Sequence, residues 1–197
     1  MSVAGLILAA GQGVRFGSDK RLAVLPEGRT MLEAALQPYA GLCAPLLVVI
    51  RPDDDGARDL ALSCGAQVVT CADAASGMGH SLAQGARALM SMTGLDGVII
   101  GLADMPLVTR ATVQSLQQAL LQTGQPVVPV YRGQLGQPRG LPVSRLADLA
   151  LLKGDQGARH MLDWQRDAVP VTVDDAGVLF DVDRPEDLRT SPSFPDC

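Results

Sequence analysis

The chain has 197 residues, 47% apolar, 3% aromatic and 19% charged, with a formal net charge of −5. That length suits one α/β core, and an acidic chain poor in stacking rings argues against a nucleic-acid groove or a polyanionic membrane face. Four cysteines (Cys43, Cys64, Cys71, Cys197) lack a Cys-x-x-Cys pair, and His80 and His160 are the only histidines, so no zinc constellation is present.

The first apolar run, Val3–Ala9, has the length and unbroken character of a buried strand. At about eight residues, without a basic start, it is neither a signal core nor a bilayer span. Reduced thiols in a cytoplasmic protein are therefore expected. Thr30 can cap a helix carrying Met31, Ala34, Ala35 and Leu36. A strand follows at Leu46–Ile50, a short helix at Gly56–Cys64 closed by Gly65, and a strand at Gln67–Thr70. A helix over Ser81–Met92 presents Leu82, Ala86, Leu89 and Met90, and the strand Val98–Leu102 comes next. Thr109 or Thr112 opens a helix with the stripe Val113, Leu116, Leu120 and Leu121, closed by Gly124. Further strands are expected at Val127–Tyr131, Val169–Val173 and Val178–Val182, with helical spacing in Ala158, Met161 and Leu162 and a last helix opening near Pro185. This alternation predicts a three-layer α/β/α sandwich, Rossmann-like, around a mostly parallel mixed sheet. Residues 1–189 read as one domain, and 190–197, with Pro192 and Pro195, as a flexible tail.

The strand-to-glycine transition after Ala10 carries the chemistry. Gly11, Gly13 and Gly17 interleave with Arg15 and Lys20, and backbone N–H groups in such a turn can meet phosphate oxygens. Five residues separate Gly11 from Gly17, and Ser18-Asp19 precede Lys20, so the turn is not a Walker loop. It is also one residue too long for the dinucleotide fingerprint. The bland alternative is a glycine-rich link from strand to helix. Asp104-Met105-Pro106 likewise either terminates a strand or supplies a carboxylate to magnesium. Ligands gather at the carboxyl ends of strands in such sheets, where both segments fall.

Five ordered segments then carry a resemblance. Leu8-Ala9-Ala10-Gly11, with Gly13, Arg15, Gly17 and Lys20, resembles the signature of the molybdopterin nucleotidyltransferase family. Gly77-Met78-Gly79-His80-Ser81-Leu82 resembles its Gly-Met-x-x-Ser-Leu loop, and Ala103-Asp104-Met105-Pro106 its Gly-Asp-x-Pro metal-binding turn. Gly154–Arg159 resembles its Gly-Asp-x-Gly-Ala-Arg segment, and Asp181–Leu188 its Asp-Ile-Asp-Thr-Pro-Glu-Asp-Leu block. Ala103 replaces a common glycine, and Gly136-Gln137-Pro138 stands where many members read Gly-His-Pro, which puts the acceptor's identity in question.

The resemblance implies transfer of a nucleoside monophosphate from a triphosphate with release of pyrophosphate. Leu8, Ala9, Ala10, Gly11, Gly13, Arg15, Lys20, Gly79 and Ser81 would bind the nucleotide. Arg15 would clamp the pyrophosphate, and Lys20 would place a point charge at the reacting phosphate. Asp104, with Asp181 or Asp183, would hold Mg2+; Asp183 could instead cap the helix near Pro185. His80, Gln137 and Asp155 would face the acceptor, although Asp155 could simply cap a helix. Trp164 reads as a partly buried anchor.

A second alanine before Gly11 resembles the cytidylyl-transferring members, the molybdenum cofactor cytidylyltransferases. The Ala10 methyl would narrow the room for a purine, an effect of about 1–3 kcal/mol. CTP and molybdenum-loaded molybdopterin are then the expected substrates, with a molybdenum hydroxylase apo-enzyme or its chaperone receiving the product. A GTP-using or sugar- or alcohol-phosphate transferase, a non-catalytic cofactor carrier and a sugar-nucleotide glycosyltransferase remain alternatives. The carrier reading would predict loss of Lys20 or Asp104, and both are present.

Overall fold

The computed structural model describes residues 2–11, 19–184 and 186–187. Runs without a polar residue, rich in Leu, Ile and Val and buried on both faces, make the centre of the sheet: β1 (Val3–Leu8), β2 (Leu46–Ile50) and β4 (Gly97–Leu102). Among the described residues these join β3 (Gln67–Thr70), β5 (Val127–Tyr131), β6 (Gln134–Leu135), β7 (Arg139–Pro142) and β8 (Val169–Thr172) in the order β3-β2-β1-β4-β7-β5-β6, with β8 on β5. Pairs β1–β2, β1–β4, β2–β3 and β5–β8 are parallel, whereas β7 runs antiparallel to β4 and β5. The sheet is the mostly parallel, mixed one expected.

Alternation along β1 divides two cores. Val3, Ile7 and Ala9 pack with Leu32 and Leu36 of α1 (Met31–Leu36), Ala57 and Ala61 of α2 (Asp55–Ser63), and Val113, Leu116 and Leu120 of α4 (Arg110–Thr123). Ala4, Leu6 and Ala10 face the other way, against Leu82, Ala86 and Leu89 of α3 (Met78–Met90). Leu146 and Leu149 of α5 (Leu146–Leu149) and Trp164 of α6 (Trp164–Asp167) complete that second layer. Thr30 and Glu33 form a reciprocal capping box on α1, and Thr109 rather than Thr112 caps α4.

Four expectations need correction. Val178–Val182 is not a strand: a 3-10 turn spans Ala176–Leu179. The buried Asp175 carboxylate holds that turn by accepting from Gly177 N at 2.9 Å and from Thr109 and Thr112, so side-chain bonds replace a strand ladder. Two strands escaped the sequence, β6 and β7. Their hairpin start is the two-residue Arg132-Gly133 loop, with φ of 48° and 78°, a type I′ turn in which arginine occupies a place usually taken by asparagine. α3 begins at Met78 instead of Ser81, because Gly77 turns the chain at φ 121° and Gly154 O takes the Gly79 N–H at 2.8 Å. Around Ala158 only a 3-10 turn forms, Ala158–His160, and its cap position is Gly157, so Asp155 does not cap it. Pro185 and the expected tail at 190–197 lie outside the described residues.

Candidate functional site

The register pairs Leu8 with Leu102, so β1 and β4 end side by side, and Ala103 N donates to Leu8 O at 3.1 Å. Asp104 follows immediately. Its backbone carbonyl accepts from Val182 N at 2.9 Å, which draws residues 181–183 across the same edge. From the other side comes Lys20, at the start of a 3-10 turn over Lys20–Leu22 whose cap Asp19 accepts from Arg21 N. The Lys20 ammonium, 9% exposed as a residue, lies 3.1 Å from Asp104 Oδ2 and 3.3 Å from Asp183 Oδ1. Three segments far apart in sequence thus meet in one ion-paired cluster.

Burial pushes the Asp104 carboxyl above the ordinary carboxylate range; Lys20 opposes this shift and the charge of Asp181 adds to it. Asp104 Oδ1 is buried with no hydrogen-bond partner among the described residues. An orphaned anionic oxygen beside further carboxylates calls for another donor or cation. No group of three or more His, Cys, Asp or Glu side chains among the described residues is placed to hold a metal alone. Magnesium needs fewer, because one or two carboxylates plus substrate phosphates suffice. Asp187, not Asp183, accepts from the backbone N–H groups of Asp183 and Arg184, at 2.8 and 2.7 Å, and those bonds hold its carboxyl low.

Arg21 is a contributor that sequence reasoning missed. Only 6% of its side chain is exposed, and it pairs with Asp19 at 2.6 Å and with buried Asp54 at 2.5 Å. It also donates to Ala9 O at 2.5 Å. The guanidinium therefore ties Ala9, on the near side of the glycine-rich segment, to Asp19 on the far side. Gly13, Arg15 and Gly17 of that segment lie outside the described residues. The only sequence signal for Arg21 was its place beside Lys20.

At Leu8 and Leu102, where β1 and β4 end, lies a cavity of about 190 Å³ lined also by Leu82 and Ile100 and by Met78, Gln137, Asp155 and Arg159. Leu8, Gln137 and Asp155 of the expected site are thus brought together. Gln137 is fixed by its N–H to Val178 O at 2.8 Å. The segments around Gly79 and Gly154 pack backbone to backbone: a Cβ on Gly79 would lie 2.7–2.8 Å from the Lys153 main chain. Ser81 is buried and His80 half-buried in the first turns of α3. Ala9 and Ala10 are 2% and 3% exposed and belong to opposite cores, while Gly11 is exposed where the described part of the turn ends.

Relatives share this frame. A probable molybdenum cofactor guanylyltransferase of Chloroflexus aggregans is 31% identical over 147 residues, 67% of this chain and 66% of that protein. The bifunctional protein GlmU of Sphingopyxis alaskensis is 31% identical over 138 residues, 69% of this chain and 30% of its own length. The chain therefore spans just under two thirds of the first relative and less than one third of the second. Among solved structures, Rv0371c of Mycobacterium tuberculosis H37Rv is 26% identical with a TM-score of 0.76, covering 96% of this chain and 97% of that one. The same protein in complex with manganese matches with a TM-score of 0.75 at 25% identity, over the same shares. No helix among the described residues is long and apolar enough to cross a membrane. Residues 5–169 match the model of the MobA-like NTP transferase domain, and the chain belongs to that family of nucleotidyltransferases.

Proposed function

We propose that this protein transfers CMP from CTP to molybdenum-loaded molybdopterin, forming the cytosine dinucleotide and releasing pyrophosphate. The observation that carries the reading is the Lys20 ammonium held between Asp104 and Asp183 just past the ends of β1 and β4, strands whose last residues, Leu8 and Leu102, line a cavity large enough for part of an acceptor. Phosphoryl and nucleotidyl transfer depend on positioning and on neutralising charge at the phosphate oxygens. Lys20 stands where it can exchange its carboxylate contacts for the α-phosphate. Arg15 and the N–H groups of Gly11 and Gly13 would receive the β- and γ-phosphates, and Gly79 and Ser81 would border the nucleoside.

Asp104, with its orphaned Oδ1, and Asp183 or Asp181 fit a divalent cation, proposed as Mg2+. When bound, such an ion polarises phosphate oxygens and steadies the leaving pyrophosphate. The acceptor would lie along Gln137, Asp155 and His80, its phosphate already ionised at neutral pH, so no strong general base is needed. In this reading residues 1–189 act as one domain of a cytoplasmic enzyme that passes its product to a molybdenum hydroxylase or its chaperone.

A second reading keeps the chemistry and replaces CTP with GTP. The named guanylyltransferase relative supports it, as does the Ala10 methyl, which is buried in the α3-side core. Pyrophosphate release with CTP, GTP, ATP and UTP, each with and without molybdenum-loaded molybdopterin and Mg2+, tests both. Release requiring CTP and the pterin is expected. A GTP requirement selects the second reading, and no release from folded protein with active acceptor refutes both. Lys20→Ala and Asp104→Ala should each lower turnover by roughly 10²–10³-fold; near-wild-type turnover removes that residue from the mechanism.

A further inference from the structure

Arg139 of β7 is a half-buried cation with no carboxylate paired to it among the described residues. Its Nε and Nη1 are fully buried and have no hydrogen-bond partner among the described residues. Burial pushes its pKa down to about 10, and the other charge acting on it is the like charge of Arg159. A desolvated guanidinium ordinarily lies against a carboxylate or phosphate, because leaving its donors unmade costs more than a hydrogen bond returns. What faces Arg139 instead is the ring of Trp164, 4.5 Å from its Cζ. That ring is pinned by its own Nε1–H to Ala158 O at 3.0 Å. The stack fixes the plane of the guanidinium and supplies some cation–π attraction, but it makes none of the N–H bonds.

The cluster adjoins the cavity. Arg139 is paired in register with Ile100, so both side chains leave the same face of the sheet. Ile100, Ala158 and Arg159 all line the cavity. Arg139 is half-buried as a residue and lies behind this lining, joined to Ala158 through the Trp164 ring. Arg159 in the lining and Arg139 behind it are close enough for each to feel the other's like charge.

We propose that Arg139, oriented by Trp164 and assisted by Arg159, is an anion subsite for an oxyanion group carried by the acceptor, separate from the phosphate that takes up the nucleotide. The two positions differ in the fold. Arg139 is level with Ile100, inside β4, whereas Asp104 lies in the turn beyond the end of that strand at Leu102. Each position takes its own anion in this assignment. The acceptor that fits carries two anionic groups, one at the Lys20–Asp104 edge and one at the Arg139 end, joined by a body that occupies the apolar wall. The assignment of the ligand to the acceptor rests on the transferase reading above, whereas the anion subsite itself does not.

Trp164 is the single tryptophan of the chain and stacks on the arginine in question, so its fluorescence reports binding directly. The experiment titrates the full chain with inorganic phosphate, sulfate and molybdate at constant ionic strength, with chloride as control. A saturable change with the tetrahedral anions, absent with chloride, is expected in the wild type. Arg139→Met should weaken it at least tenfold and Arg159→Met severalfold, while Lys20→Met, which removes the other cation, should leave it intact. Removing an unpaired buried charge should not unfold the protein, and circular dichroism checks that; Arg159→Met, an exposed position, provides an independent arm. No saturable change in the wild type, equal affinity in Arg139→Met, or loss in Lys20→Met would each overturn the subsite. Nucleotide-dependent pyrophosphate release from the same preparation separates that failure from a failure of the transferase reading.

Discussion

Arg21→Met removes the guanidinium that joins Ala9, Asp19 and Asp54. Asp54 is left with only 7% of its side chain exposed and its main partner gone. Truncating one member of a buried pair costs about 3–5 kcal/mol. Arg51 Nη2, at 3.4 Å from Asp54 and 3.9 Å from Asp19, takes up part of the charge, so the lower end applies, about 3 kcal/mol. For a chain of this size each kcal/mol moves Tm by roughly 2–4 °C, so a fall of about 6–12 °C is expected. Urea denaturation, which gives free energy and slope together, is the assay. The double variant Arg21→Met/Asp54→Asn removes the stranded charge and keeps the side-chain oxygen that caps α2, so it should recover at least half the loss. A pH series adds a sign. Hydrogen bonding to Arg21 holds the Asp19 carboxyl low, so this contribution is complete above its unfolded value, near about pH 4, and fades as pH falls through the folded value. In Arg21→Met that acid-side loss should flatten. A single variant within about 1 kcal/mol of wild type, with unchanged acid dependence, would refute the network.

Asp175→Ala strands the Thr109 N–H and the buried Thr112 hydroxyl, and should cost about 3 kcal/mol in urea denaturation, with Asp175→Asn losing roughly half that; a loss below about 1 kcal/mol would mean that water replaces the carboxylate. Gly79→Ala drives a methyl into the Lys153 main chain, which cannot rotate away, and should cost about 1–3 kcal/mol in thermal denaturation. An unchanged Tm would show that the two loops separate freely. Cys43 is 5% exposed and burial raises its thiol to about 12, so it should resist iodoacetamide at pH 8 until the protein is unfolded. Peptide mass spectrometry decides the point, and labelling as fast as at half-buried Cys64 would contradict it.

What the sequence made legible follows from where the stabilising contacts are local. β1, β2 and β4 are strand-length runs without a polar residue, dominated by β-branched residues and leucine, and they form the strands that this preference favours. Thr30 and Glu33 cap α1 with residues three apart, which a reader of the chain can see. Arg139–Pro142 hid because Pro138, Gly140 and Pro142 read as turn residues, and only the room between β4 and β5 makes a strand of them. Val178–Val182 misled for the opposite reason. Its apolar run has the length of a strand, but Asp175, Gln137 and Asp104 meet the main chain of 177–182 where a strand ladder would have to form. Lys20 and Asp104 stood out by residue type beside their turns. Arg21 and Arg139 did not, since their significance lies in partners gained or missing across the fold.

The bond from Val182 to the Asp104 carbonyl has a mechanical consequence. Asp104 is set by the end of β4, in the middle of the sheet, whereas Asp183 arrives on a segment from the far end of the chain that this bond lays across the same edge. The carboxylates gathered at Lys20 thus have two independent anchors, one in the sheet and one in the strap over it. A change that loosens the strap reaches the cluster through Asp183 and leaves Asp104 where β4 holds it, so charge on one side of Lys20 can vary without disturbing the architecture beneath.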